Sequence, residues 1–250
     1  MVESPGDPPA VGLPVATSLY ADRSVRIGIY ENEPLVFTDS QGQPRGLYVD
    51  LLEHVARQEG WRLEYVWCEW PDCLARLERG DLDLMTAIAH SPEREARFDF
   101  TRETVLANWG QVYAHPGVKV ESVLDLDDRR LAAVPEDIYT RGLMDTLARF
   151  GVRPEVLPAV DYGEVFRLVE GGQAEAGIVA RLYGGQHEAK YDVRLTPILC
   201  CPVELRFAAP KGRSRDLLET LDRHLAALKA ERRSVYYQSL DRWLLAGRAR

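Results

Sequence analysis

Short apolar runs alternate along this chain with longer stretches in which apolar residues return every third or fourth position. Val25-Arg26-Ile27-Gly28-Ile29-Tyr30 is the first run and reads as a strand. The polar loop Glu31-Asn32-Glu33-Pro34 leads to a short strand, Leu35-Val36-Phe37, and Asp39-Ser40-Gln41-Gly42-Gln43-Pro44 is a turn. From Val49 to Glu59 the apolar residues Val49, Leu51, Leu52, Val55 and Ala56 keep helical spacing, and Gly60 ends the helix as a C-cap. Leu63-Glu64-Tyr65-Val66-Trp67 is the next strand, and Leu74-Ala75-Arg76-Leu77 begins a short helix closed by Gly80. The mostly apolar run from Leu82 to Ala89 then reads as a buried strand. The chain up to Ala89 thus forms a β-α-β-α-β unit.

A second alternating set follows the break at His115-Pro116-Gly117, which comes after Val112-Tyr113-Ala114. Strands are predicted at 130–134, 154–157 and 176–180, and helices at 139–150 and 162–170, each helix ended by glycine. Val203 to Ala209 returns the chain as a strand. The tail from Asp216 to Trp243 is helical, with Leu217, Leu218, Leu221, Leu225 and Leu228 on one face. Strands alternating with helices in two sets make this an α/β protein.

Between the run ending at Ala89 and Phe98-Asp99-Phe100-Thr101 stands Ser91-Pro92-Glu93-Arg94. Ser91 fits an N-cap and Pro92 a first helical residue, so a helix starts here. Arg94 then falls in the first turn, where the helix dipole and free N–H groups attract anions and repel cations. Two readings fit: a guanidinium set at a strand end to grip a carboxylate in two-point fashion, or an exposed arginine paired with Glu93, Glu95 or Glu103.

Composition adds boundaries to this picture. The 250 residues are ample for one large or two modest domains, and a net charge of −8 argues against nucleic acid or an anionic membrane surface as partner. No apolar run approaches the roughly 18 residues that span a bilayer. Residues 1–23, rich in proline and small residues, lack the charged start and apolar centre of a signal peptide and read as a flexible leader.

Of the four cysteines, Cys68 and Cys73 flank a proline turn that can bring them together. A disulfide there, worth roughly 2 kcal/mol by chain entropy, would fix the loop that holds Trp70; two reduced, half-buried thiols fit equally well. Cys200 and Cys201 are expected in the core. The cysteine spacing, with no histidines in finger-like positions, makes a poor zinc site, and neither a metal nor a cofactor is expected.

Taken in order, several short words resemble family 3 of the bacterial extracellular solute-binding proteins. They are Val25-Arg26-Ile27-Gly28, Gly46-Leu47-Tyr48-Val49-Asp50-Leu51-Leu52, Gly80-Asp81-Leu82-Asp83-Leu84-Met85, Ser91 through Thr101, Gly171-Gly172-Gln173-Ala174-Glu175-Ala176, and Tyr236-Tyr237-Gln238 through Trp243-Leu244. The resemblance covers about residues 24–244. It implies a type II periplasmic-binding-protein (Venus-flytrap) fold with two hinge strands. Lobe one would take residues 24–113 and 206–250, and lobe two 114–205. It further implies an extracytoplasmic location and a small ligand held between the lobes. Arg94 would grip the ligand's carboxylate. Tyr30 to Glu33 and Trp70 would stack on it or cover it, and the strand-end positions Thr86, Ala87 and Ala89 would offer backbone groups. Tyr139 and Arg181 stand either on the second lobe's side of the cleft or clear of it.

The chain also departs from that pattern. Amino-acid binders of the family carry an acid where Ala180 stands here, to hold the ligand's ammonium, and Arg181 follows it. At the second helix start, Asp137-Ile138-Tyr139 replaces the usual glycine and hydroxyl residues. The expected ligand is therefore a carboxylate-bearing or aromatic small molecule rather than a standard α-amino acid.

Three functional readings follow. The words around Trp70, Arg94 and Tyr236 are most similar to sensor domains that precede histidine kinase or diguanylate cyclase modules, tethered to the membrane. A free solute-binding protein docking to a permease shares the same chemistry. An enzyme similar to cyclohexadienyl dehydratases would need an acid of raised pKa in the cleft, for which Glu31, Glu33 and Glu69 are placed. No catalytic residue is assigned, since no nucleophile–base set or phosphate loop is evident. His90 is either a cleft residue or an ordinary hydrogen-bonded histidine.

Overall fold

A computed structural model describes residues 23–245, so all but the last residue of the expected leader, and residues 246–250 of the expected first lobe, lie outside the described residues. In chain order the elements are β1 (Ser24–Ile29), β2 (Phe37–Thr38), β3 (Pro44–Arg45), α1 (Leu47–Glu59), β4 (Arg62–Trp67), α2 (Trp70–Arg79) and β5 (Leu84–Ala89). Then come α3 (Pro92–Glu95), β6 (Phe98–Phe100), β7 (Leu106–Ala114), β8 (Arg130–Ala133), α4 (Ile138–Arg149), β9 (Glu155–Pro158) and α5 (Tyr162–Glu170). The chain closes with β10 (Ala176–Ala180), α6 (Arg181–His187), β11 (Arg194–Pro210), α7 (Arg215–Ala230), α8 (Val235–Leu240) and a wide turn over Asp241–Leu245.

The main strands form one sheet in the order β4-β1-β5-β11-β7-β10-β8-β9, with β6 alongside β11. β4, β1 and β5 are parallel, as are β10, β8 and β9, because helical crossovers join them. β11 runs antiparallel to both β5 and β7 in the middle. Two hydrophobic cores flank this centre. The first gathers residues between Val25 and Val105 with Leu205 to Leu228. The second gathers residues between Val112 and Ile198. β7 and β11 pass from one core to the other: Val112 and Tyr113 belong to the second, while Leu205 and Phe207 belong to the first. Two register shifts interrupt their pairing, between Leu195 and Leu199 and between Cys200 and Val203. Such shifts bend and twist a strand pair locally. The result is the two-lobed α/β architecture expected from the sequence, with β7 and β11 as its crossing strands.

Several local expectations need correction. The helix expected from Leu74 starts at Trp70, so Pro71 lies in its first turn, where its missing N–H forfeits no helical bond. Leu35 and Val36 are buried in a turn rather than a strand, because Val36 closes back on Asn32. The returning strand begins at Arg194, not Val203; its early half alternates poorly and exposes Leu195 and Leu199. The C-terminal helix breaks after Ala230 and restarts at Val235. There the Asp50 carboxylate on α1 accepts from Ser239 Oγ, Arg242 Nη1 and Trp243 Nε1 at 2.7, 3.0 and 2.9 Å, fixing the last turn to the first helix. Cys200 and Cys201 are half-exposed at the edge of the second core, not inside it.

Candidate functional site

The Arg94 environment is assembled by a short piece of backbone. β5 is buried along its whole length and delivers the chain to Ser91, whose extended backbone and side chain cap the N–H of Arg94 at 3.3 Å. Pro92 opens a helix of only four residues. The Arg94 side chain then turns inward and is 3% exposed. Its Nη1 donates to Ala89 O at 3.1 Å, and the guanidinium carbon lies 5.1 Å over the Trp70 ring. Nη2 is buried and has no hydrogen-bond partner among the described residues. The reading of an exposed, paired arginine is thereby excluded: Glu95 binds His90 and Glu103 binds Lys229. Burial lowers the Arg94 pKa below its ordinary value, against the pull of Asp137.

Arg94 borders a cavity of about 130 Å³ between the two cores. From the first-core side Tyr30, Trp67, Trp70 and Ala87 line it, and from the second-core side Asp137, Tyr139, Tyr162 and Ala180. The Tyr30 ring tilts against Trp70 with centroids 4.8 Å apart, and its hydroxyl donates to Ala87 O at 3.0 Å. Ala87 carries φ 50 within a buried strand, a conformation costing an alanine about 1–2 kcal/mol, and its carbonyl anchors this tyrosine. Cys68 and Cys73 are joined as a disulfide, which ties the end of β4 to the first turn of α2 directly beside Trp70.

Among the lining residues that the sequence reading did not name as site residues, Asp137 carries a buried charge. It precedes α4 as the N-cap residue without capping it, is 7% exposed, and leaves Oδ2 without a hydrogen-bond partner among the described residues. Burial pushes its carboxyl up to about 6, although Arg94, the Tyr162 hydroxyl and nearby backbone N–H groups pull the other way. No ion pair joins Arg94 and Asp137, yet both border one cavity with a buried polar atom unspent. Its signal in the sequence was the departure at Asp137-Ile138-Tyr139 itself. That departure registered as the loss of a familiar motif, not as a new charge.

The other candidates divide. Tyr30, Trp70, Ala87, Ala89, Arg94 and Tyr139 all border the cavity. Thr86 does not; it is fully buried and donates to Gly28 O at 3.2 Å, holding β5 to β1. Glu33 does not; its Oε2 sits 3.1 Å from His187 Nε2 at the end of α6, which lowers its pKa. Arg181 opens α6 on the exposed side, away from the cavity. Glu31, Glu69 and Asp161 border the cavity. Desolvation and the neighbouring Glu33 push Glu31 up to about 7. His90 is hydrogen-bonded to Glu95 and packs edge-on against Phe100, outside the lining.

Comparison with known proteins places this geometry. The sequence profile of the bacterial extracellular solute-binding proteins, family 3, matches residues 25–246. No curated protein matches the chain at a significant level. Among solved structures, a histidine kinase sensor domain with similarity to periplasmic binding proteins aligns with a TM-score of 0.78 at 21% identity, covering 89% of this chain and 96% of that one. A putative L-cystine ABC transporter protein from Listeria monocytogenes aligns at 0.77 and 17% identity, covering 89% and 96%. An ancestral amino acid-binding protein, precursor of cyclohexadienyl dehydratase, aligns at 0.75 and 21%, covering 88% and 95%. At these identities the likeness concerns the fold.

Proposed function

Because the chain belongs to family 3 of the bacterial extracellular solute-binding proteins, we propose that it is an extracytoplasmic binding unit whose two lobes hold a small molecule carrying a carboxylate and a cationic group. The observation behind this reading is a pair of buried, oppositely charged groups on one cavity, each with one polar atom unpaired, Arg94 Nη2 and Asp137 Oδ2. A buried charged group without a partner costs several kcal/mol, a cost that a ligand with complementary charge removes. The ligand's carboxylate belongs on Arg94 and its cation on Asp137. Ala180 leaves the customary acid position empty of charge, and Asp137 supplies a carboxylate from the start of α4 instead. The restriction to ligands without an ammonium group, drawn from Ala180 and Arg181, therefore relaxes. Glu69 and Asp161 add negative charge around the same cavity, which favours a ligand whose positive charge equals or exceeds its negative charge.

The test is calorimetry against L-lysine and L-arginine, which carry both charges, and against succinate and benzoate, which carry only carboxylates. The two-charge ligands bind more tightly, and Asp137→Asn removes their advantage. Tight binding of succinate or benzoate, unchanged by Asp137→Asn, defeats the reading.

The sensor role favoured by the sequence words around Trp70, Arg94 and Tyr236 is part of the same proposal. Lobe closure would bias a two-state element beyond the ligand site. A gene product continuing into a transmembrane helix and a kinase or cyclase module supports the sensor, and a neighbouring permease gene supports transport. No helix among the described residues is long and apolar enough to cross a membrane. Catalysis is a second reading, favoured by one observation: Glu31 and Asp137, at about 7 and about 6, are acids able to give up a proton near neutral pH. Turnover of a prephenate-like cyclic acid followed by NMR, lost in Glu31→Gln, would establish it.

A further inference from the structure

β11 carries two adjacent cysteines where it crosses between the cores. Cys200 pairs with Gly110 of β7, and the register slips immediately afterwards. Cys201 adopts φ 58, in the left-handed region that residues with a side chain rarely enter. In a regular strand, neighbouring side chains point to opposite faces. Here the left-handed residue breaks that alternation, the Cys201 thiol lies against the first turns of α4, and the Cys200 thiol lies over Gly110 of β7.

Two glycines make room for them. A Cβ built on Gly110 would sit 3.2 Å from Cys200 Sγ and 3.0 Å from the Tyr139 Cβ. One built on Gly142 would sit 2.7 Å from Cys201 Sγ and 2.9 Å from its Cβ, closer than side chains tolerate. Cys201 Sγ also points to Tyr139 O at 3.9 Å. Each thiol is perturbed by its neighbour, which lowers the pKa of Cys201 and raises that of Cys200. Neither is fully buried. A thiol with enhanced thiolate character and partial access is the reactive kind.

We propose that Cys200 and Cys201 are a vicinal dithiol site that exchanges with disulfides and closes reversibly into a ring at the lobe crossing. In the first step the Cys201 thiolate attacks one sulfur of a small-molecule or protein disulfide; a mixed disulfide forms and one thiolate leaves. In the second, Cys200 gives its proton to solvent and attacks the Cys201 sulfur, expelling the second thiolate. The two cysteine sulfurs are oxidised and both sulfurs of the attacked disulfide are reduced, so the exchange balances without another oxidant. Adjacent Cα atoms are about 3.8 Å apart, below the roughly 4.4–6.8 Å of ordinary bridges. The ring is therefore strained and easily reduced, as regulatory disulfides are. An extracytoplasmic compartment supplies disulfide partners. Because Cys201 backs Tyr139, ring closure also moves the bed of a cavity residue.

The experiment treats the purified, mildly reduced protein with oxidised glutathione and reads intact mass and peptide maps. The expected product has lost two hydrogens at Cys200 and Cys201, carries no glutathione, and reverts with dithiothreitol. Phenylarsine oxide, which bridges close thiol pairs, binds one to one and blocks the reaction. Cys200→Ser instead retains one glutathione on Cys201. In the ring form, amide exchange in residues 138–142 changes by about tenfold as the first turn of α4 is rebuilt. A stable double glutathione adduct overturns the proposal. So does native wild-type protein inert to both reagents while its denatured form reacts, a result that does not depend on whether the serine variant folds.

Discussion

The two walls of the cavity hold opposite charges by different means. On the first-core side, Arg94 is placed by backbone: a buried strand end, the Ser91 cap and Pro92 leave its side chain one direction to take. On the second-core side, Asp137 is placed by what surrounds it, since it makes no cap and lies among Tyr139, Tyr162 and the cavity. The contrast teaches that a cation set by local geometry survives as a recognisable word. A carboxylate set by tertiary burial looks in sequence like an ordinary helix start.

The largest expected effect comes from removing the locally placed charge. Arg94→Gln keeps shape and some hydrogen bonding but gives up the two-point, charge-assisted contact with a carboxylate. Affinity for L-arginine, or for whichever two-charge ligand binds best, falls by about a hundredfold, equivalent to about 3 kcal/mol. The ligand-free protein keeps or raises its melting temperature, because an unspent buried charge is gone. Affinity retained within threefold by calorimetry, with a folded variant, would remove Arg94 from the site.

Asp137→Asn tests the other wall, and here pH gives a second handle. The carboxyl titrates at about 6 in the folded protein against 3.8 when free. A raised pKa means that ionisation opposes folding: the penalty is absent below about pH 4, grows as pH rises towards 6 and is constant above. A rise from 3.8 to about 6 corresponds to about 3 kcal/mol at full ionisation. Asp137→Asn is therefore more stable than wild type by about 2–3 kcal/mol at pH 8 in urea unfolding, with the gap closing near pH 4. The same substitution weakens binding of cationic ligands by about tenfold or more. In wild type that affinity falls as pH drops through about 6. Equal stabilities at both pH values would show that the group is not desolvated.

What the sequence conveyed follows the same division. Strands β1, β5 and β10 and helices α1 and α5 were legible because apolar period and glycine caps act within a few residues. Ser91 and Pro92 marked the buried start at Arg94 in the same local way, whereas Ala87 and Trp70, which line the same cavity, entered through the family resemblance. Which residues line the cavity was not legible where side-chain direction depends on distant packing. Thr86 and Arg181 sit beside true lining residues, yet the strand pleat turns one into β1 and the start of α6 turns the other outward. The crossing strand β11 was half missed because its bulges break the alternation that identifies a strand.

Next in size is the bridge that stiffens the first wall. Replacing both Cys68 and Cys73 by serine costs about 2 kcal/mol of stability, the value for closing a loop this short. It also frees the first turn of α2, so the Trp70 ring beneath the Arg94 guanidinium loses its fixed position. Affinity declines about threefold to tenfold, less than for Arg94→Gln, because the charge itself remains. An unchanged urea midpoint would mean that α2 is held by its core residues Leu74 and Leu77 without need of the covalent link.

The smallest effect tests whether the walls communicate outside the cavity. Glu33, on the loop after β1, approaches His187 at the end of α6, whose Nδ1 lies 3.1 Å from Lys190 Nζ and whose ring stacks on Tyr183 at 4.2 Å. Gln186 on the same helix donates to Trp243 O at 3.1 Å, a second link between α6 and the first core's perimeter. Glu33 is partly exposed and its pKa is lowered by His187, so its contribution is present above its ordinary titration range and is lost as pH falls through the depressed folded value. Solvent screening holds that contribution to a fraction of a kcal/mol. Glu33→Gln should therefore change affinity by about twofold, by favouring open over closed lobes, without altering which ligand binds. Solution scattering with and without L-arginine separates the cases: a wider ligand-free envelope in Glu33→Gln places the contact in closure, whereas an unchanged envelope with altered selectivity would move Glu33 into the ligand site after all.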